Sequence, residues 1–218
     1  YLFLPSIGPL FILLPSYSIS MLKLVYDFMC DNESKYISYV HSTFADLSLE
    51  DEFVKIAENF KNKVGKDYAA SRGEYLNGII MAKYLGFTFV DAAEVIVFDD
   101  NGNFASEETN ELLKKRFENC ENAVVPGFYG AYRDGRVKTF SRGGSDITGS
   151  IVARAIMANV YENWTDVSGF LIADPRIIDN PAAIETITYR ELRELAYMGA
   201  GVLHEDAIFP VQKEGIPI

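Results

Sequence analysis

The residues best suited to chemistry lie in one run, Lys138 to Asp146, which reads Lys-Thr-Phe-Ser-Arg-Gly-Gly-Ser-Asp. It has the pattern of a strand that breaks into two glycines directly before a helix. Gly143 and Gly144 would let a ligand approach the backbone closely, and the free amides of a helix N-terminus bind anions. Arg142 adds a planar guanidinium suited to a carboxylate or a phosphate. The run therefore predicts an anion site, although a tight connection, with the aspartate complementing the helix dipole, explains it equally well.

Polar residues in three other places are weaker candidates. Thr165 and Asp166 follow an apolar run, at the position where open α/β sheets bind their ligands. Asp174 stands directly before a proline, which is typical of a turn. Ser71 and Glu74 have the spacing of a capping box, so a structural role for Glu74, capping the N-terminus of a helix, is favoured over a functional one.

Hydrophobic periodicity predicts that helices and strands alternate along the chain. The helix over residues 106–119 is expected to turn Leu112, Leu113 and Phe117 inward. Strands that alternate with helices indicate a mainly parallel sheet covered on both faces, in one α/β domain. The predicted helices are two or three between residues 21 and 64, then 71–85, 106–119, 145–159 and 189–198, and the predicted strands are 87–90, 94–98, 123–126, 137–140 and 160–164.

Composition excludes several classes of protein. The 218 residues carry 20 Lys+Arg against 31 Asp+Glu, a formal net charge of −11, so neither a nucleic acid nor an anionic membrane surface is expected as a partner. Hydrophobic residues at 49% and charged residues at 23% argue against a disordered or coiled-coil chain. Cys30 and Cys120 have no metal-ligand spacing, and the chain has 2 histidines, so no metal centre is expected. The cysteine usage favours a reducing, cytoplasmic location.

Residues 1–20 differ in composition from the rest of the chain. They carry no charge and include Pro5, Pro9 and Pro15, whereas charge density is normal after Met21. Repeated prolines break a helix, which argues against a membrane span, and the segment has no basic start or cleavage site of a secretory signal. We expect an irregular segment, with the domain extending over residues 21–218.

Six motifs occur in order along the chain and together resemble the amino-acid kinase family, and within it the aspartate kinases. The resemblance covers roughly residues 67–218 and implies a three-layer α/β sandwich with a mainly parallel central sheet, the carbamate kinase-like fold. The motifs at residues 164–169 and 173–176 distinguish aspartate kinases from the uridylate, carbamate, acetylglutamate and glutamate kinases. The motifs are Ser71-Arg-Gly-Glu74, Pro126-Gly-Phe-Tyr-Gly130, Ser141-Arg-Gly-Gly-Ser-Asp146, Trp164-Thr-Asp-Val-Ser-Gly169, Ala173-Asp-Pro-Arg176 and Leu195-Ala-Tyr-Met-Gly-Ala-Gly-Val-Leu-His204.

The resemblance implies transfer of the γ-phosphoryl group of Mg-ATP to the side-chain carboxylate of L-aspartate. The product, 4-phospho-L-aspartate, leads to lysine, threonine and methionine. Arg142 would pair with a substrate carboxylate and Glu74 with its ammonium group, while the Ser145 hydroxyl and the amides of Gly143 and Gly144 complete the anchor. Asp146 would orient the catalytic basic groups. A carboxylate is already a nucleophile, so the task of the site is positioning and charge neutralisation.

The same resemblance implies a set of nucleotide contacts. Leu171 stands where many relatives have a tyrosine near the nucleotide, and Gly201 stands where many have a lysine. The implied contacts are Thr165 and Asp166 with adenosine, Asp174 and Arg176 near ribose and phosphate, and the backbone of Gly201 and Val202 with adenine.

The sequence also departs from the family pattern. Aspartate kinases open with a strand that carries Lys-Phe-Gly-Gly, which holds the transferring phosphates, and this motif does not occur in the 218 residues. They also continue into paired ACT domains that bind lysine or threonine, and they often dimerise, so a homodimer is compatible with the resemblance. We therefore expect a catalytic-domain fragment with weak activity or none.

Two alternatives remain open at this stage. A non-catalytic remnant would bind ATP or aspartate without forming product. A sister kinase would phosphorylate glutamate, acetylglutamate or a nucleotide instead.

Overall fold

The structure, a computed structural model, describes residues 10–12, 47–164, 169–174, 177–197 and 203–218. The helices over these ranges are α1 (Glu50–Lys61), α2 (Lys66–Leu85), α3 (Ala92–Val95), α4 (Ser106–Phe117), α5 (Gly144–Ala155), α6 (Tyr189–Tyr197) and α7 (Ile208–Glu214), with a 3-10 turn at Glu205–Ala207. The strands are β1 (Leu10–Ile12), β2 (Thr88–Phe89), β3 (Val97–Phe98), β4 (Asn122–Val124), β5 (Tyr129–Tyr132) and β6 (Val137–Thr139).

Three of the four strand pairings among the described residues are parallel, as predicted. Strand β4 lies between β1 and β2, with Ala123 opposite both Phe11 and Thr88. Strand β5 lies between β3, to which it is parallel, and β6, to which it is antiparallel. No element was expected within residues 1–20, so strand β1 corrects that prediction.

The main hydrophobic core joins the strands to helices α4, α5 and α7. Fully buried side chains in it include Leu113 of α4, Val152 of α5 and Ile208 of α7. A second core joins α1 to α2 through Phe53, Ile56 and Leu76 among others. The main core thus lies between strands and helices, and the second lies between two helices. Packing of helices on strands is the layered arrangement that alternating strands and helices predict.

Helix α2 is longer at its N-terminus than the capping box suggests. It begins at Lys66 after Gly65, so Ser71 and Glu74 lie in its second and third turns and do not cap it. The Ser71 hydroxyl instead donates to the backbone carbonyl of Tyr68, 2.8 Å away. The predicted stop is confirmed, because Gly86 takes the left-handed conformation with φ 68° that ends helices.

Helix α4 begins as predicted, but the phase of its inner face is different. Leu113 and Phe117 are buried, whereas Leu112 is 36% exposed. Thr109, four residues before Leu113, is also fully buried, and its hydroxyl accepts from the backbone N–H of Val97 at 2.9 Å. The buried face of α4 therefore consists of Thr109, Leu113 and Phe117, each four residues after the last. The prediction that Leu112 faces inward is wrong.

Three predicted segments have a different structure. Residues 160–164 form no strand, and only the Tyr161 amide pairs there, with the Pro217 carbonyl at 2.8 Å. The start of 94–98 belongs to the short helix α3, which the Asp91 side chain caps by accepting from the Ala93 amide at 3.0 Å. The loop expected at residues 127–130 ends early, since β5 already begins at Tyr129.

Within the described ranges, no helix combines the length and the apolar composition needed to cross a membrane.

Candidate active site

Glu74 is a buried carboxylate without a partner. Its side chain is 3% exposed and makes no hydrogen bond or ion pair with any residue that the structure describes. Burial disfavours the charged form and raises the pKa of Glu74 from 4.5 to about 7. A group in this state is suited to receive a cation from a ligand.

Helix α2 places Glu74 over the end of strand β4. Gly78, one turn further on the same face, packs so closely that an added Cβ would lie 3.0 Å from the Phe89 ring and 3.4 Å from Pro126. Pro126 lies two residues after the end of β4, so the face of α2 that carries Glu74 meets the chain where it leaves the sheet.

The turn from Ser141 to Ser145 lies against the same chain segment. An added Cβ on Gly127 would lie 2.9 Å from the Ser145 Cα, and one on Gly144 would lie 2.8 Å from the Phe128 Cα. Phe128 itself has φ 81°, and its amide donates to the Thr148 hydroxyl of α5 at 3.1 Å. Glycines are needed here because the two backbones touch, and this contact brings the anchor turn to the end of β4.

Gly143 forms the N-terminus of helix α5 in the left-handed conformation, with φ 58° and ψ 21°. An added Cβ there would lie 2.3 Å from the Cβ of His204, so the histidine covers the turn. No side chain of the described residues makes a capping hydrogen bond at Gly143, so the first-turn amides of α5 are suited to an anion. This confirms the predicted strand-to-helix turn with its two glycines.

Arg142 and Asp146 flank that turn. Arg142 is exposed and has no hydrogen-bond or ion-pair partner among the described residues. Burial raises the pKa of Asp146, and a hydrogen bond from the backbone of His204, together with the charge of that histidine, acts against the rise. The Tyr161 hydroxyl donates to the backbone carbonyl of Asp146 at 3.0 Å, which fixes the first turn of α5.

The combined arrangement suits a zwitterion. A buried carboxyl group lies on α2, and the N-terminus of α5 lies next to the Arg142 guanidinium, which has no partner among the described residues. The two are joined by the contacts of Pro126 and Gly127. Such a site can hold the ammonium of an amino acid on one side and its carboxylate on the other.

The sequence profile described as the amino acid kinase family matches residues 31–218, which is most of the chain. The chain belongs to the amino-acid kinase family.

Among relatives, "Aspartokinase 3" of Bacillus subtilis is 38% identical over 161 residues, which are 70% of this chain and 35% of that protein. The crystal structure of Clostridium acetobutylicum aspartate kinase superposes with a TM-score of 0.76 at 48% identity, and covers 90% of this chain and 46% of that one. E. coli aspartokinase III in complex with aspartate and ADP superposes with a TM-score of 0.74 at 23% identity, covering 92% and 52%, which shows the fold. The chain thus spans about a third to a half of the length of these proteins.

These neighbours confirm the fold that the resemblance implied, a three-layer α/β sandwich with a mainly parallel central sheet.

Two of the nucleotide residues expected in this amino-acid kinase are described. Leu171 pairs with Ala183 in an isolated antiparallel bridge, and the Asp174 carbonyl accepts from the amides of Ile177 and Ile178 at 2.9 and 3.0 Å, which forms the predicted turn. The remaining expected contacts lie outside the described residues, namely Thr165, Asp166, Arg176, Gly201 and Val202.

Sequence reasoning missed one feature beside the site of this amino-acid kinase. Arg72, inside the Ser71–Glu74 motif, is buried against the rings of Tyr68, Tyr75 and Tyr129. The spacing of the first two tyrosines from Arg72, four residues before and three after, places them beside it on the helix and was visible in the sequence. The third contact comes from a distant part of the chain.

No group of three or more His, Cys, Asp or Glu side chains suited to a metal occurs in the part of the chain that the structure describes. A nucleotide-bound Mg²⁺ has its ligands mainly from phosphates and water, with one or two carboxylates, so a cage made only of protein groups is not required.

Proposed function

We propose that this chain is the catalytic region of an ATP-dependent aspartate kinase, which phosphorylates the side-chain carboxylate of L-aspartate to give 4-phospho-L-aspartate, the first step toward lysine, threonine and methionine. The observation that carries the proposal is the pair Glu74 and Arg142 beside the glycine turn, two ionisable side chains that have no partner among the described residues. The likeness to the Clostridium aspartate kinase supports the substrate class.

Glu74 and Arg142 recognise the two ends of the amino acid. The ammonium of aspartate enters beside Glu74 and offsets the cost of a buried carboxylate, which otherwise holds a proton near pH 7. Arg142 donates two hydrogen bonds to the α-carboxylate in a bidentate ion pair, and the Ser145 hydroxyl and the amides of Gly143 and Gly144 donate to the same anion. The side-chain carboxylate is then left to face the phosphoryl donor.

The reacting carboxylate needs no general base, since it attacks as an anion. Bound Mg-ATP supplies the phosphoryl group together with a cation that screens its charge. Asp146, which accepts a hydrogen bond from the backbone of His204, is proposed to orient basic groups around the phosphates. Thr165, Asp166, Leu171, Asp174, Arg176, Gly201 and Val202 are proposed to hold the nucleotide.

Turnover tests the proposal directly. ADP release is followed with Mg-ATP and L-aspartate, and the acyl phosphate is trapped with hydroxylamine. We expect product formation to depend on L-aspartate. The Arg142→Ala change should abolish product formation. The control is Arg136→Ala, which should leave it unchanged, because Arg136 is exposed and pairs with Asp134 at 2.7 Å.

Two results would contradict the proposal. Product that forms equally well with glutamate or acetylglutamate would indicate a sister kinase. Binding of ATP without any binding of aspartate would remove the substrate assignment. A homodimer and a cytoplasmic location stay predictions.

A further inference from the structure

Arg72 is a buried cation that pairs with no carboxylate among the described residues. It is 4% exposed, and its Nη2 and Nε donate to the Ser71 hydroxyl at 2.9 and 3.2 Å. Its guanidinium carbon lies 4.4 Å from the ring centroids of Tyr68 and Tyr75 and 5.5 Å from that of Tyr129. We call these three rings the tyrosine cage. The electron-rich ring faces replace the ion pair that a buried arginine normally requires.

Two carboxylates complete the neutralisation from a distance. The Tyr75 hydroxyl donates to Glu52 of α1 at 2.7 Å, and the Tyr129 hydroxyl donates to Asp91 at 2.7 Å. The charge of Arg72 helps to lower the pKa of Glu52, so these groups are electrostatically coupled. One cation therefore joins α1, α2, the N-terminus of α3 and β5 through polar groups.

Both halves of the candidate site are attached to this cage. Tyr75 follows Glu74 directly on α2. Tyr129 follows Phe128 directly, and the Phe128 backbone is the part that touches Gly144. Because Tyr75 is bonded to Glu74 and Tyr129 to Phe128, a displacement of either tyrosine would also displace its neighbour.

We propose that Arg72 is a positioning residue that keeps Glu74 and the Gly143–Ser145 turn at the separation an amino-acid substrate requires. The inference deepens the proposed function and rests on it for the identity of the substrate. A role in stability alone does not explain the arrangement, because buried charged groups are weak evidence for stability and apolar residues of similar volume often replace buried ion pairs without loss. The polar cage instead fixes one relative placement of the elements that carry the site.

The test compares Arg72→Met, which removes the charge, with Arg72→Lys, which keeps it. The matched control is Arg136→Met, an exposed arginine whose guanidinium carbon lies 4.9 Å from the Tyr132 ring. The Kd values for L-aspartate and for Mg-ATP are measured separately by calorimetry for each folded variant. We expect Arg72→Met to weaken aspartate at least about tenfold and ATP less than about twofold, with Arg72→Lys recovering part of the loss.

Two outcomes would overturn the inference. Unchanged aspartate affinity in folded Arg72→Met, or equal weakening of both ligands, would leave Arg72 with a purely structural role. If Arg72→Met does not fold, Tyr129→Phe keeps the ring, removes the hydroxyl bond to Asp91 and should weaken aspartate alone by roughly threefold. An unchanged aspartate Kd in that variant counts equally against the proposal.

If the wild-type chain binds no aspartate, the proposed function is refuted. The role of Arg72 can then still be tested by the pH dependence of stability, which needs no ligand. The stability difference between Glu74→Gln and wild type depends on pH because burial raises the pKa of Glu74 to about 7. If Arg72 holds Glu74 in its buried position, the Arg72→Met change should expose Glu74 to water, so the pKa of Glu74 should fall toward 4.5 and the pH range of the stability difference should move down with it. An unmoved pH range would show that Arg72 does not place Glu74.

Discussion

Replacement of Glu74 by glutamine should stabilise the unliganded protein at pH 8. Burial raises the pKa of Glu74 from 4.5 to about 7, so at pH 8 the folded state carries a buried negative charge that has no partner among the described residues. Glutamine has nearly the same shape and no charge. The same change should weaken aspartate binding at least about tenfold, because the ammonium loses its counter-ion.

The sign and the size of the effect follow from the proton balance. Between pH 4.5 and about 7 the folded protein retains a proton on Glu74 that the unfolded chain has released, so this group lowers the free energy of unfolding as the pH rises. Below pH 4.5 both states are protonated and the effect vanishes. Above about pH 7 the loss is complete and amounts to about 3 kcal/mol for the shift from 4.5 to about 7.

Urea unfolding of wild type and Glu74→Gln across this pH range measures the difference, in which contributions from all other groups cancel. The control is Glu185→Gln at an exposed position, which should change the free energy of unfolding by less than about 0.5 kcal/mol at every pH. A stability difference that does not change with pH, or a variant less stable than wild type at pH 8, would refute the reasoning about Glu74.

Two further predictions concern packing. Gly143→Ala and Gly135→Ala both introduce a side chain at positive φ, 58° and 85°, but only the first meets neighbouring atoms, at 2.3 Å. In urea unfolding Gly143→Ala should therefore cost about 1–3 kcal/mol more than Gly135→Ala, and equal losses would show that the His204 contact yields easily. Leu113→Ala should lower the free energy of unfolding by about 2–4 kcal/mol, because Leu113 is fully buried, and Leu112→Ala by less than about 1 kcal/mol. The reverse order would mean that α4 presents its other face.

Local chemistry made part of the fold predictable. The stop of α2 at Gly86 and the turn at Gly143 depend on glycines that take positive φ where they stand, so a few adjacent residues are enough to recognise them. The candidate anchor was found for the same reason, since its glycines, Arg142 and Asp146 are consecutive.

Features that depend on distant partners were not predictable. Residues 160–164 were predicted as a strand, but among the described residues no strand lies beside them, and their one backbone pairing there is that of the Tyr161 amide with the Pro217 carbonyl. Leu112 and Leu113 are equivalent in periodicity, and the position of Thr109 against Val97 decides which of them is buried. The burial of Arg72 depends partly on Tyr129, which the sequence gives no reason to place beside it.

The most direct test of the central claim, that Glu74 and Arg142 together hold an acidic amino acid, is a calorimetric comparison of L-aspartate with succinate, which lacks the ammonium. Wild type should prefer aspartate by at least about tenfold, Glu74→Gln should bind the two ligands alike, and Arg142→Ala should weaken both. If Glu74→Gln keeps the preference for aspartate, the ammonium does not bind at Glu74 and the account of the site is wrong.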